Sequence, residues 1–391
     1  MGMPGFEVFG DEERNAVLDV FDRSGGVLFA HGFDGMRNGV FKVREWESQF
    51  ANYFGFPHAQ AVSSGSAAVK IALEAVGVGP GDEVITQAHT FIATVEAIIQ
   101  TGAKPVIVDI DDTLNLDPAA FANAITQKTK AVVPVHMMGE MADMDPITTI
   151  ATEAGVLVVE DCAQALGARY RGVWAGAFST TAAFSTDAGK TLNTGEGGMV
   201  VGSIADHFVR ARALHDHGHS YEIGTPRGQD PGLIPGFNYR MTELQAAIGI
   251  VQLGKLDHIV SRQRKNKTQI MELLKDQPLE FRRSVDPTGD LGDTIVMILP
   301  SREIAMKMTR RLSEKSVGTK NLPDAMRWHF AKHWSHLLSS ASVSRDEIEN
   351  SWLPSADILE RCVALPVMVK MDEEQINRIS RAVVESCQAV L

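Results

Sequence analysis

The chain has 391 residues, 44% of them hydrophobic and 22% charged, a composition that excludes wholesale disorder and suits two or three domains. Its 37 basic and 49 acidic residues leave a formal charge of −12, so nothing draws it generally to nucleic acid or to an anionic membrane. The three cysteines, Cys162, Cys362 and Cys387, stand too far apart to read as a disulfide framework or a zinc site.

The opening Met1-Gly2-Met3-Pro4-Gly5-Phe6-Glu7 has no basic stretch running into an apolar one, so no secretory leader is expected. No apolar run reaches the roughly 18 residues of a membrane span, and a cytoplasmic enzyme is expected. Short β-branched runs predict buried strands over 83–86, 105–111, 131–136, 156–161 and 198–202. Helical patterns over 66–76, 91–100 and 144–154 alternate with them. Such alternation implies an α/β fold with a mostly parallel central sheet, whose ligands gather beyond the carboxyl ends of the strands. Residues 216–235 carry four glycines and three prolines and read as a long loop of the kind that often serves function. A helical stretch over 242–267 is long enough to bridge two domains. The expected division is a large domain over 1–260 and a small α+β domain over 261–391. The latter has a strand at 294–299 and helices over 303–315 and 372–390.

Five short motifs carry chemistry. Lys190 stands shortly before Gly195-Glu196-Gly197-Gly198, a turn whose glycines permit positive φ and close approach. A lysine held there could bond to the aldehyde of pyridoxal phosphate, although a loop lysine taken alone is ordinarily a solvated one. Asp161 ends an apolar strand, where a carboxylate can face the ring nitrogen of that cofactor or simply cap the next helix. Gln164 follows three residues on and could meet the ring hydroxyl. Ser63-Ser64-Gly65-Ser66 opens an alanine-rich helix, either as a plain cap or as an anion site using the N–H groups of Gly65 and Ser66. Ser185 adds a hydroxyl upstream of Lys190. Phe91 follows His89-Thr90; it is core or a stacking face. Asn238-Tyr239-Arg240 precedes a helix start at Thr242 and has no chemical meaning by itself.

Taken in this order, the motifs resemble the DegT/StrS family of pyridoxal-phosphate-dependent sugar aminotransferases. The resemblance runs from about Phe9 to about Ile379. It implies fold type I, like aspartate aminotransferase, with a smaller α+β carboxyl-terminal domain. It implies that Lys190 binds the cofactor covalently and shuttles protons, with Asp161 ionised against the ring nitrogen. Gln164 would contact the ring hydroxyl and Phe91 would stack on the ring. Gly65, Ser66 and Ser185 would hold the phosphate. Asn238 would reach the phosphate of a neighbouring subunit, since family sites are shared in a homodimer. An amino acid, glutamate by the resemblance, would be the donor and a keto or aldehyde sugar the acceptor.

Within the family, Pro4-Gly5-Phe6-Glu7, Asp216-His217-Gly218-His219 and Trp328-His329-Phe330 are similar to transaminases that aminate C8 of a Kdo-type sugar acid for lipopolysaccharide. An 8-oxo-Kdo-type acceptor is therefore expected, with His217, His219, Arg240 and His329 as candidate substrate-binding residues. A metal at His215, His217 and His219 is not expected, because no carboxylate or cysteine set accompanies them. Two other readings stand beside this one. One is transamination of a nucleotide-linked keto sugar or a keto-cyclitol. The other is a cofactor-binding sensor without turnover. A dehydrogenase is disfavoured, since no G-x-G-x-x-G follows the first strand.

Overall fold

The computed structural model describes residues 4–222, 224–341 and 343–391. Met1–Met3, part of the segment read for a leader, and Ile223 of the glycine- and proline-rich loop lie outside the described residues.

Seven strands form the main sheet: β1 (His58–Val62), β2 (Glu83–Gln87), β3 (Lys104–Val108), β4 (Thr129–Val133), β5 (Leu157–Asp161), and, after the short hairpin β6 (Arg169–Tyr170) and β7 (Val173–Trp174), β8 (Thr181–Ser185) and β9 (Gly198–Gly202). Their order is β1-β9-β8-β5-β4-β2-β3. Pairing is parallel from β8 through β5, β4 and β2 to β3, and antiparallel on both sides of β9. A mostly parallel sheet buried on both faces needs apolar residues pointing both ways. In β2, Val84 joins one cluster with Ile71, Leu73 and Ile98, and Ile85 joins the opposite cluster with Trp46, Phe50 and Phe184. The helices Gly65–Ala75 and Ala93–Gln100 cover the first face, and Lys42–Phe54 and Met144–Ala154 the second.

The carboxyl-terminal part builds a second, antiparallel sheet: β10 (Glu280–Phe281), β11 (Thr294–Ile298) and β12 (Cys362–Pro366). Helices Arg302–Glu314 and Glu373–Val390 pack on it through Met308, Leu312 and Val383. A further cluster joins Ala88, Ile92 and Leu114 to Val296, Trp334 and Ala364. It fixes the small sheet beside the carboxyl edge of the large one.

Two expectations differ in detail. The single bridging helix is two helices, Glu243–Leu253 and Leu256–Leu274, broken at Gly254-Lys255; position 260 lies inside the second. Strands β8 and β12 were not anticipated. Their sequences, TAAFS and CVALP, lack the β-branched density that marks a strand. No described helix is long and apolar enough to cross a membrane.

Candidate active site

Four strands deliver the predicted motifs to one edge. Just past β1, Ser64 caps the helix Gly65–Ala75 by accepting from Ala67 N at 3.1 Å. This leaves the first N–H groups of the helix free to face an anion. Gly65 must lack a side chain, because a Cβ there would stand 2.6 Å from Cβ of Ser185. Past β2 comes Phe91, a large aromatic left 42% exposed. At the end of β5 stands Asp161, buried, with Oδ2 accepting from Thr94 Oγ1 at 2.8 Å and Oδ1 from Ala163 N at 3.1 Å.

The hairpin from β8 to β9 carries Lys190. It is closed by Thr186 N to Gly197 O at 2.9 Å and Ala188 N to Gly195 O at 3.0 Å. Gly195 has φ +82°, and a Cβ on Gly198 would press on the Ser64 carbonyl at 2.5 Å. The Gly-Glu-Gly-Gly sequence is thus required by backbone packing. The Lys190 side chain is 20% exposed, with Nζ 3.8 Å from Asp187 Oδ2.

These residues line one cavity of about 330 Å³: Gly65, Ser66, Phe91, Asp161, Gln164, Ser185 and Lys190 all face it. Burial pushes the Asp161 carboxyl above its usual range, while the bonds from Thr94 and Ala163 and the charge of Lys190 pull it down. Among the described residues no cation forms an ion pair with Asp161, and a protonated ring nitrogen would supply one. Gln164 is oriented by Met138 N, which donates to its Oε1 at 3.1 Å, so its amide N–H₂ remains available to a ring oxygen. With the helix start and Ser185 for a phosphate and Phe91 for a ring face, the residues present fit pyridoxal phosphate.

A second cavity of about 250 Å³ adjoins the first and shares Phe91, Gln164, Asp187 and Lys190 with it. His329 lines it, with its ring 5.3 Å from that of Phe91 and Nδ1 3.0 Å from Ala325 O. Burial lowers the His329 pKa to about 4. The ring is therefore uncharged at neutral pH and offers a hydrogen bond rather than a positive charge.

The other candidates sit elsewhere in the chain. Arg240 Nη1 binds Asp216, and its guanidinium lies 4.8 Å from the Phe29 ring. His219 Nδ1 is 3.4 Å from Asp230 Oδ2, and His217 is exposed with φ +53°. Asn238 is exposed and accepts from Arg240 N at 3.3 Å. None of these four lines either cavity of the single chain. Of the four, Arg240 binds Asp216, a fully buried carboxylate bound also by His31 at 2.7 Å, by Tyr221, and by both terminal nitrogens of Arg227 at 2.6 Å. Burial opposes its ionisation, yet Arg227, His31 and Tyr221 hold it well below the ordinary carboxylate range.

Sequence reasoning missed Thr94, the partner of Asp161, and Asp293 of the second cavity, and gave Pro4, Lys320 and Asn321, within the Pro4–Glu7 motif and the 318–330 stretch expected to face substrate, no individual role. Thr94 lies three residues past Phe91 in the first turn of a helix, a position from which a short hydroxyl can reach the neighbouring strand end. Asp293 comes from a distant segment with no local pattern to reveal it. Among the described residues, His136, Glu160 and Cys162 are close enough together to hold a metal ion. There, however, His136 bonds Glu160 at 3.1 Å, and Glu160 accepts from Gly176 N and Phe178 N.

The model of the DegT/DnrJ/EryC1/StrS aminotransferase family matches residues 35–384. The chain is 44% identical over 229 residues to a GDP-perosamine synthase of Caulobacter vibrioides, a match spanning 57% of this chain and 59% of that protein's length. It is 42% identical over 349 residues to a pleiotropic regulatory protein of Geobacillus stearothermophilus, covering 88% of each. The crystal structure of 3-amino-5-hydroxybenzoic acid synthase has a TM-score of 0.85 and 29% identity, with 99% of each chain covered.

Proposed function

The chain belongs to the DegT/DnrJ/EryC1/StrS aminotransferase family of pyridoxal-phosphate enzymes, and we propose that it carries an amino group from glutamate to a keto or aldehyde sugar, an 8-oxo-Kdo-type sugar acid. The observation that carries the reading is Lys190 and Asp161 facing one cavity, with a helix start at its end. Pyridoxal phosphate, when bound, supplies an electron sink for charge developing on the carbon that bears the nitrogen.

The residues divide the work. Lys190 holds the cofactor through Nζ. With the cofactor bound to the donor's nitrogen, the same Nζ would be the base that takes the proton from the donor's amino-bearing carbon. In the second half-reaction it returns a proton to the acceptor carbon. Asp161 keeps a negative charge against the ring nitrogen, and Thr94 and Ala163 N hold that carboxylate in place. Gly65, Ser66 and Ser185 bind the phosphate. Asn238 serves the phosphate of a second copy in a homodimer, and His217, His219 and Arg240 approach the substrate from that side. We place the enzyme in the cytoplasm.

Support for the sugar acid is the sequence likeness at Pro4–Glu7, at 216–219 and at 328–330. A second reading, a nucleotide-linked keto sugar, is favoured by the relative named for GDP-perosamine. A sensor without turnover is suggested by the relative named as a regulator. The Lys190–Asp161 arrangement weighs against it, since binding alone does not call for an electron sink.

Absorbance of the purified holoenzyme tests all three. Glutamate should convert the long-wavelength band of lysine-bound cofactor to the amine form. An 8-oxo-Kdo, or failing that a GDP-linked 4-keto-6-deoxyhexose, should then restore it. Lys190→Ala should abolish the band and cut transamination by about 10²–10⁴-fold or more. A band indifferent to every amino acid overturns the catalytic reading.

A further inference from the structure

The second cavity is walled on one side by an ion pair that the reaction described above does not use. Lys320 Nζ binds Asp293 Oδ2 and also donates to Thr294 Oγ1 at 2.9 Å, and Thr294 Oγ1 donates to Asp293 Oδ1 at 3.0 Å. Both backbones are tied to the same neighbouring segment, Lys320 N to Ala364 O and Val367 N to Asp293 O, each at 2.8 Å. The pair is therefore rigidly held. Gly139 leaves room for it, because a Cβ there would collide with Asp293 Oδ1.

Charge balance decides what such a pair can recognise. The charged side chains lining this cavity are Lys190, Asp187, Asp293 and Lys320, two of each sign, and His329 is uncharged at neutral pH. Lys320 is closed on Asp293, so it is not a free cation for a carboxylate or a phosphate. The pair nevertheless has unused hydrogen-bonding capacity. An ammonium has three N–H donors and a carboxylate about four acceptor sites, and among the described residues two of each are engaged. One spare donor beside spare acceptors complements two adjacent hydroxyl groups. One hydroxyl accepts from Lys320 while the next donates to Asp293. Charged partners make such hydrogen bonds stronger than neutral ones.

Resting on the sugar-aminotransferase reading, we propose that Asp293 and Lys320 together bind a vicinal diol of the acceptor and set which sugars enter. The pair does not bind the distal carboxylate of the amino donor. Substitution should therefore damage the acceptor half-reaction more than the donor half-reaction.

The test uses the holoenzyme with Lys320→Met, Asp293→Asn and the double variant, which leaves no lone buried charge. Glutamate-driven loss of the long-wavelength band reads the donor half-reaction. Its return with 8-oxo-Kdo or a GDP-linked 4-keto-6-deoxyhexose reads the acceptor half-reaction. Calorimetry with the aldehyde form, which does not aminate the sugar, gives equilibrium binding of the same two acceptors. The expected result is acceptor binding weakened about tenfold or more, with a smaller loss for glutamate. A deoxy acceptor lacking one of the two hydroxyls should bind wild type and double variant alike. Equal losses for donor and acceptor, or a larger loss for glutamate, overturn the proposal while leaving the aminotransferase reading intact. If the wild type turns over glutamate but binds neither sugar, the sugar reading falls, and this inference falls with it.

Discussion

The backbone N–H of Gly5 donates to the carbonyl oxygen of Lys190 across 3.2 Å. The residue proposed to hold the cofactor is thus steadied from behind by a segment 185 positions earlier in the chain. Pro4, beside it, lines the second cavity. The segment is stitched down further along, with Lys370 N donating to Glu7 Oε2 at 2.9 Å and Lys255 Nζ to Val8 O at 2.9 Å.

Gly5→Ala tests this support. A Cβ at position 5 would lie 2.7 Å from both N and Cβ of Asn193, and backbone there cannot yield cheaply. Overpacking of this kind costs about 1–3 kcal/mol. A lower urea midpoint together with a slower donor half-reaction is expected. Unchanged values in both would show that the segment is not held against Lys190.

Asp161→Asn separates folding from function. Burial raises the Asp161 pKa in the cofactor-free protein, so the folded state holds this proton more tightly than the unfolded chain does. That contribution is fully present below the unfolded carboxyl pKa and is lost as pH rises through the raised folded value. At neutral pH burying this carboxyl is a burden on the apoprotein. Thermal melts at pH 7 should find apo Asp161→Asn no less stable than apo wild type, while the loaded variant loses transaminase rate. A clear loss of apo stability would contradict the burial argument.

His329 shapes the acid limb. Its folded pKa of about 4 lies below the ordinary histidine value. The stability it contributes is complete above about pH 6.5 and is lost as pH falls toward 4. Integrated over that interval the group accounts for about 3 kcal/mol. Denaturant titrations from pH 7 to 4 should give a shallower decline for His329→Gln than for wild type. Parallel curves would show that the ring protonates freely in the fold.

Asp216→Asn should be among the costlier single changes outside the cavities. It leaves Arg227, Arg240 and His31 gathered around a neutral amide. Breaking one side of a buried ion cluster typically costs about 3–5 kcal/mol. Urea melts of the holoenzyme would measure the loss, and a change under about 1 kcal/mol would mean that the cluster is solvated.

The cofactor cavity was legible because its parts are local. A strand-end carboxylate, a glycine-bounded lysine and a serine-capped helix each occupy a few consecutive residues, and parallel topology delivers strand ends to one edge. The second cavity was legible only at His329. Pro4, Asp293 and Lys320 meet only because β11 and the amino-terminal segment converge on the β8–β9 hairpin, and no spacing along the chain encodes that meeting. Strand recognition failed in the same physical way at β8. Thr181 and Ala183 face helix Gly65–Ala75, which packs closely on them, while Ala182 faces the opposite cluster, and alanine carries little strand signal. The histidines of 215–219 looked like a site by composition. Asp216 between them proved to be the group that organises the surrounding side chains.

The Asp216 cluster also sets the terms on which this enzyme could be re-engineered. The loop from 216 to 235 meets the segment around His31 through the Asp216 carboxylate, Arg227 and the Tyr221 ring, and Arg240 closes the same knot from a third stretch of chain. The three segments therefore form one exchangeable unit. A chimera that imports a relative's loop alone would bring the buried acid and Arg227 without the imidazole of His31 and the guanidinium of Arg240 that complete the cluster. One that transplants residues 29–37 and 237–243 along with it would carry its own charge balance into the new host.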